Sequence, residues 1–171
     1  MGGFTFGKPG NNTPMYVDAA ITANGPINLY GGDMAIQKAL TATGVGSGIL
    51  AQARGNLTLS GDLSHSTNAG DITLWSDADD SGQGYIYFHD RIVVDSRTSA
   101  NRASGLTSTA SGGGAITLGG GRAFTTLATG TEVPTGFAID ASNSLPGGVS
   151  LGYFNAGHDS GNKFYSGGGD I

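Results

Sequence analysis

Short apolar-x-apolar triplets return along the chain at an almost constant step. Phe4-Thr5-Phe6, Ile27-Asn28-Leu29, Ile49-Leu50-Ala51 and Ile72-Thr73-Leu74 are separated by 23, 22 and 23 residues, and Ile116-Thr117-Leu118 follows after 44, two steps of 22. Alternation at period two marks half-buried strands. Second triplets, Met34-Ala35-Ile36 and Leu57-Thr58-Leu59, follow their first strands by 7 and 8 residues. Ile86-Tyr87-Phe88 follows its own after a longer acidic turn. A third apolar element closes each unit: Leu40, Leu63, and Ile92 to Val94. A unit this small has no partner for its apolar face except the next unit, so the repeat has to stack on itself.

The fold expected is all-β: a right-handed parallel β-helix (β-solenoid) with about 22–23 residues per coil. Handedness follows the crossover preference for parallel strands. Inward residues such as Ile27, Leu29, Ile36 and Leu40 would stack coil on coil into one column. At a strand spacing of ~4.8 Å, about seven coils give a column on the order of 30 Å. The chain has 32 glycines, and those at Gly25, Gly31, Gly44, Gly48, Gly55, Gly61 and Gly70 fall at the joints between triplets. Their backbone freedom suits sharp corners. Met34 to Leu40 is too closely flanked by Gly31-Gly32 and a threonine-rich exit to read as a helix.

Two segments break the period. Residues 98–114 are rich in Ser, Thr, Ala and Gly, and 122–136 carry Phe124, Leu127, Val133 and Pro134. Both read as loops inserted at coil corners, on a single domain spanning 1–171. Coils are expected to resume at Phe137-Ala138-Ile139 and at Val149-Ser150-Leu151. The closing Gly167-Gly168-Gly169-Asp170-Ile171 reads like the opening of another strand, so the chain is expected to be an internal piece of a longer repeat protein.

Charge and composition exclude several classes. The eight basic residues are scattered and the net charge is −5, which leaves no footprint for nucleic acid. No apolar run approaches the ~20 residues of a membrane-spanning helix. There is no cysteine, hence no disulfide framework and no thiolate metal site.

The most concentrated chemistry is the turn Asp77-Ala78-Asp79-Asp80-Ser81-Gly82. It matches the D-x-D-x-S-G opening of a calcium loop, in which alternate residues turn oxygens toward a hard cation and glycine allows the bend. Asp77, Asp79 and Ser81 are the candidate calcium ligands. The twelfth loop position is Phe88 rather than Glu, so Asp71 or Asp90 would have to complete the shell. The competing reading is an Asx-type turn, which Asp, Ser and Gly favour by themselves. Calcium is the one cofactor the sequence suggests.

Other constellations are weaker. His65, His89 and His158 lack zinc spacing, and His89 and Asp90, adjacent on a strand, point to opposite faces, so surface histidines are expected. Asp71 with Asp90 or Asp95 would be the carboxylate pair of a polysaccharide-degrading enzyme, but no clustered basic residues accompany them. No catalytic residue is therefore assigned. Tyr30, Trp75, Tyr85 and Tyr87 could form an outward stripe for sugars, and Trp75, Tyr85 and Tyr87 are the candidate glycan contacts. Ladder stacking between coils is the alternative. The glycine runs 112–114 and 119–121 lack the lysine and helix of a phosphate loop and read as corners.

Three stretches carry a resemblance. Gly70 to Ile86, Gly113 to Gly121 and Phe164 to Ile171 are similar to repeats of very large bacterial surface proteins related to filamentous haemagglutinin, and Phe4 to Lys8 and Gly25 to Gly32 fit the same repeats. The resemblance implies a β-solenoid and a secreted, cell-surface location. It also implies a non-enzymatic role as a structural or adhesive stalk or display segment. A carbohydrate-binding or polysaccharide-degrading β-helix is the alternative. The expected partners are neighbouring repeats of the same protein, end-to-end copies of the chain, or a host or surface glycan.

Overall fold

A computed structural model of the chain describes residues 2–61, 64–89, 91–105, 112–127, 130–136, 138–139, 148–150 and 162–166. It is built almost wholly of short strands. In chain order these are β1 (Phe4–Phe6), β2 (Met15–Val17), β3 (Ile21–Ala23), β4 (Ile27–Gly31), β5 (Met34–Ile36), β6 (Leu40–Val45), β7 (Ile49–Ala53), β8 (Leu57–Leu59) and β9 (Ser64–Asn68). There follow β10 (Ile72–Ser76), β11 (Ile86–Phe88), β12 (Val93–Asp95), a one-turn helix α1 (Ser99–Ala103), β13 (Ile116–Thr126), β14 (Glu132–Gly136), β15 (Ala138–Ile139), β16 (Gly148–Ser150) and β17 (Lys163–Tyr165).

The strands form three sheets, ordered β1-β4-β7-β10-β13-β14, β15-β16-β11-β8-β5-β2 and β17-β12-β9-β6-β3. From β1 to β12 the chain visits the first, second and third sheet in turn, four times over. Among the described residues every pairing is parallel except that of β13 with β14. The register is the one the triplets predict: Phe4 pairs with Ile27, Ile27 with Ile49, Ile49 with Ile72 and Ile72 with Ile116. In the second sheet Met34 pairs with Leu57 and Leu57 with Ile86. A one-residue slip would turn each apolar set outward, so burial of one face fixes this alignment.

All three sheets contribute to one apolar core. Ile27, Leu29, Ile49, Ile72, Leu74 and Ile116 come from the first sheet, Met34, Ile36, Leu57, Leu59, Ile86 and Phe88 from the second, and Leu40 and Val94 from the third. The intervening residues, such as Asn28, Tyr30, Leu50 and Gln52, lie on the outward face and are only partly covered.

The corner leading into the first sheet is too tight for side chains. A Cβ at Gly70 would overlap the backbone oxygen of Ser47, and one at Gly114 would overlap that of Gly70. Neither backbone atom can rotate away. Gly70→Ala is expected to cost about 1–3 kcal/mol, the range for an overpacked interior site. Gly2→Ala, where the added Cβ meets nothing within 4 Å, is the control. Equal melting temperatures for the two variants would remove the close-approach argument.

The two aperiodic segments differ from plain loops. In 98–114 the described part contains α1, capped by Thr98, whose hydroxyl oxygen accepts the Asn101 N–H at 3.1 Å. In 122–136, β13 runs on to Thr126 and β14 returns antiparallel to it, with Phe124 opposite Pro134 and Thr126 opposite Glu132. The segment is thus mostly a hairpin laid on the first sheet, shaped by a turn in which Leu127 N–H donates to Thr131 O. Of the two segments where coils are expected to resume, the described parts, Ala138–Ile139 and Gly148–Ser150, pair side by side in the second sheet, with Val149 paired to Ile86. Leu63, Phe137, Leu151 and 167–171 lie outside the described residues.

Candidate functional site

In the acidic turn Asp77 and Ser81 come together, but they use each other. Asp77 is 5% exposed and has positive φ (50°). Its Oδ1 accepts the Ser81 N–H and Oγ–H, both at 2.9 Å, and the Gly82 N–H reaches Oδ1 at 3.1 Å and Oδ2 at 3.0 Å. This is the Asx-type closure that Asp, Ser and Gly favour. Asp79 leans away, its Oδ2 2.9 Å from Arg54 Nη2. Burial acts upward on the Asp79 carboxyl, and the hydrogen bonds from Arg54 and Ser81 outweigh it to hold the group below the usual carboxylate range. Among the described residues no three His, Cys, Asp or Glu side chains cluster as metal ligands.

The four aromatics do not form one stripe: Tyr30 and Trp75 share a row on the first sheet, while Tyr85 and Tyr87 lie elsewhere. Trp75 is on the outward side of β10, opposite Leu74, as alternation requires. There the hairpin covers it to 4% exposure: its indole N–H donates to Gly121 O at 2.7 Å, and its ring lies 6.5 Å from that of Phe124. Tyr85 and Tyr87 belong to the second sheet's side of the molecule. Tyr85 is exposed, and Tyr87 meets His89 edge-on at 4.7 Å.

The candidate carboxylates are likewise engaged. Asp71 accepts the Ala115 N–H at 2.8 Å and the Thr131 hydroxyl at 2.9 Å, so it ties the hairpin turn to the first sheet. Asp95 is enclosed by Arg97 and Arg102. Asp90 and His158 lie outside the described residues. His89 is exposed, as expected of a surface histidine, but His65 is not: it is 2% exposed in the third sheet. The expectation fails because His65 takes an inward position of β9, directly opposite Val94.

One concave site emerges that triplet reading did not identify. On the outward face of the first sheet, exposure falls strand by strand. β1 is exposed throughout, the outward residues of β4 and β7 are half-buried, and all of β10 is buried. The cause is the hairpin, which covers β10 fully and stops short of β4. The step leaves a groove of about 570 Å³ floored by Asn28, Tyr30, Leu50 and Gln52, walled by Pro9 on one side and ended by Trp75, Thr131 and Glu132. Tyr30 pairs with Gln52 and Gln52 with Trp75 across adjacent strands, so these three side chains form one row. Burial first, then the nearby Glu132 carboxylate, push the Tyr30 hydroxyl upward. The phenol therefore stays protonated and can donate. The outward positions of β4 and β7 are legible as a face, but the hairpin that turns the face into a groove carries no periodic signal.

No family model, curated protein or solved structure matches this chain.

Proposed function

We propose that the chain is a right-handed β-solenoid segment, and that it serves as a non-enzymatic stalk or display segment of a large secreted bacterial surface protein. The observation that carries this reading is the fourfold passage of the chain, from β1 to β12, through three sheets whose strands pair in parallel over one core. Such a column is a stiff frame, because each unit hydrogen-bonds to the next along its whole length. Frames of this kind support recognition on what projects from them. Here the projections are the β13–β14 hairpin and α1.

The residues behind the reading of cell-surface location are those of the haemagglutinin-like repeats, Gly70 to Ile86 and Gly113 to Gly121. The non-enzymatic reading is favoured by Asp71 and Asp95, whose carboxylates are spent on structural contacts. Neighbouring repeats or a second copy are the proposed partners at the end formed by β1, β2 and β3. These are edge strands of their sheets and expose Phe4, Phe6 and Tyr16. Unpaired strand edges are templates for further pairing.

Antibody raised against the chain is expected to label intact cells of the producing bacterium, and protease treatment of those cells to remove the label. Label that appears only after lysis would overturn the reading.

A further inference from the structure

We propose that the groove between the first sheet and the β13–β14 hairpin binds a neutral oligosaccharide. Its volume of about 570 Å³ falls inside the ~300–1,000 Å³ typical of ligand clefts. Its lining is mixed in the way a sugar requires. The Tyr30 ring and Leu50 offer apolar surface for the C–H face of a pyranose, while the Tyr30 hydroxyl, the Asn28 and Gln52 amides and the Glu132 carboxylate offer donors and acceptors for its hydroxyls.

Those polar groups are available. Among the described residues the Gln52 amide and the Glu132 carboxylate have no side-chain hydrogen bond, and Asn28 makes only a long one of 3.4 Å to Thr5. Charge then selects the class. Among the described residues no lysine or arginine lines the groove, whereas Glu132 stands at its end and the chain carries −5 overall. Sulfated, phosphorylated or uronic acid ligands would meet an uncompensated carboxylate there, at a cost that grows with desolvation.

Geometry adds a direction. The row Tyr30, Gln52, Trp75 crosses the strands, so its side chains repeat at the interstrand spacing of about 4.8 Å. That is close to the length of one pyranose unit, so two successive sugars can meet Tyr30 and Gln52, with the covered Trp75 marking the closed end. The indole N–H of Trp75 is taken by Gly121 O, which leaves the ring edge to close the groove. The site does not depend on surface display, and the antibody labelling above can fail without touching it.

Trp75 is the chain's single tryptophan, so its emission reports on the groove. The experiment titrates the whole chain with gluco-, cello-, chito-, manno- and galacto-hexaoses and with a heparin hexasaccharide. At least one neutral hexaose is expected to change the emission saturably, with no saturable change for heparin. Gln52→Ala and, separately, Tyr30→Ala are expected to weaken that binding by roughly tenfold or more, the effect of losing one well-placed contact. Gln52 is half-buried and outside the core, so its variant is the one that keeps the fold, as far-ultraviolet circular dichroism will check. Failure of every neutral hexaose, preference for heparin, or unchanged affinity in a folded Gln52→Ala would each overturn the proposal.

Discussion

Replacing Asp95 with alanine is expected to destabilise the fold by about 3–5 kcal/mol, the usual cost of removing one partner from a buried ion pair. The Asp95 side chain is 3% exposed and that of Arg97 8%. Oδ1 accepts the Arg97 N–H at 3.0 Å and Nε–H at 2.9 Å, and Oδ2 accepts Arg97 Nη2 at 2.6 Å and Arg102 Nε at 2.9 Å. The carboxylate thus directs two guanidiniums. Arg102 carries on to Thr67 O at 2.5 Å and Arg97 O at 3.1 Å, and Arg97 lies over the Tyr165 ring at 4.2 Å. Asp95 therefore fastens β9, β12, α1 and β17 at one corner. Without it, the buried Arg97 loses the carboxylate that accepts its backbone N–H, Nε–H and Nη2.

Urea unfolding measures the loss. Asp95→Asn should cost nearly as much as Asp95→Ala, because the shape is kept and the charge is not. Asp95→Leu combined with Arg97→Met should recover most of the stability, since an apolar pair leaves no orphaned charge. A loss below about 1 kcal/mol for Asp95→Ala would place the cluster with exposed ion pairs and sink the argument. Acid gives an independent reading. Burial pushes the Asp95 carboxyl upward, but the hydrogen bonds from Arg97 and Arg102 outweigh it and hold the group below its ordinary value. A depressed carboxyl stabilises the fold above its unfolded pKa of ~3.9 and gives that stability up as pH falls through the folded value. This loss belongs to the most acidic range.

The parallel framework is legible because it rests on period. Triplets such as Ile49-Leu50-Ala51 and Ile72-Thr73-Leu74 show alternation and step together, and the pairing of Ile49 with Ile72 follows from those alone. What stays hidden has no period. Met15–Val17 and Ile21–Ala23 are strands of the first unit and alternate like the others, but Met15 follows Phe4 by 11 residues rather than 7 or 8, so they fall off the step. The hairpin of β13 and β14 passes through Gly119-Gly120-Gly121 and Pro134, residues that argue against strand by propensity. Its stability comes instead from tertiary contacts, with Trp75 donating to Gly121 O and Thr131 to Asp71. The groove inherits that invisibility: Tyr30 and Gln52 can be placed on a face, but nothing in their own triplets announces a roof. His65 escapes the pattern for a related reason. It occupies the apolar slot of a third strand whose neighbours Ser64, Ser66 and Thr67 make the stretch look solvated.

That slot gives the second large effect. His65 pairs with Val94 on β12, and the Thr41–Ser66 pairing sets it beside Leu40 on β6, so both flanking residues are apolar. Neither Nδ1 nor Nε2 has a hydrogen-bond partner among the described residues. Burial pushes the imidazole down to about 4. The charged form is what burial opposes, so the sign is definite: the unfolded chain binds the proton near pH 6.5 and the folded chain does not. Stability is full above about pH 6.5 and falls as pH is lowered toward about 4, where the folded form also protonates. The drop is about 3–4 kcal/mol, at ~1.4 kcal/mol for each pH unit that this window spans. It lies at higher pH than the Asp95 loss, so the two separate in one series of urea midpoints taken from pH 7.5 to pH 3. His65→Leu, similar in size and fully apolar, is expected to remove the first drop and leave the second. It should also raise stability at pH 7.5 by about 1–3 kcal/mol, because two unsatisfied ring nitrogens leave the core. An unchanged acid profile in His65→Leu would mean that the imidazole reaches water or a partner in the folded state, and that the third-sheet core is open at this position.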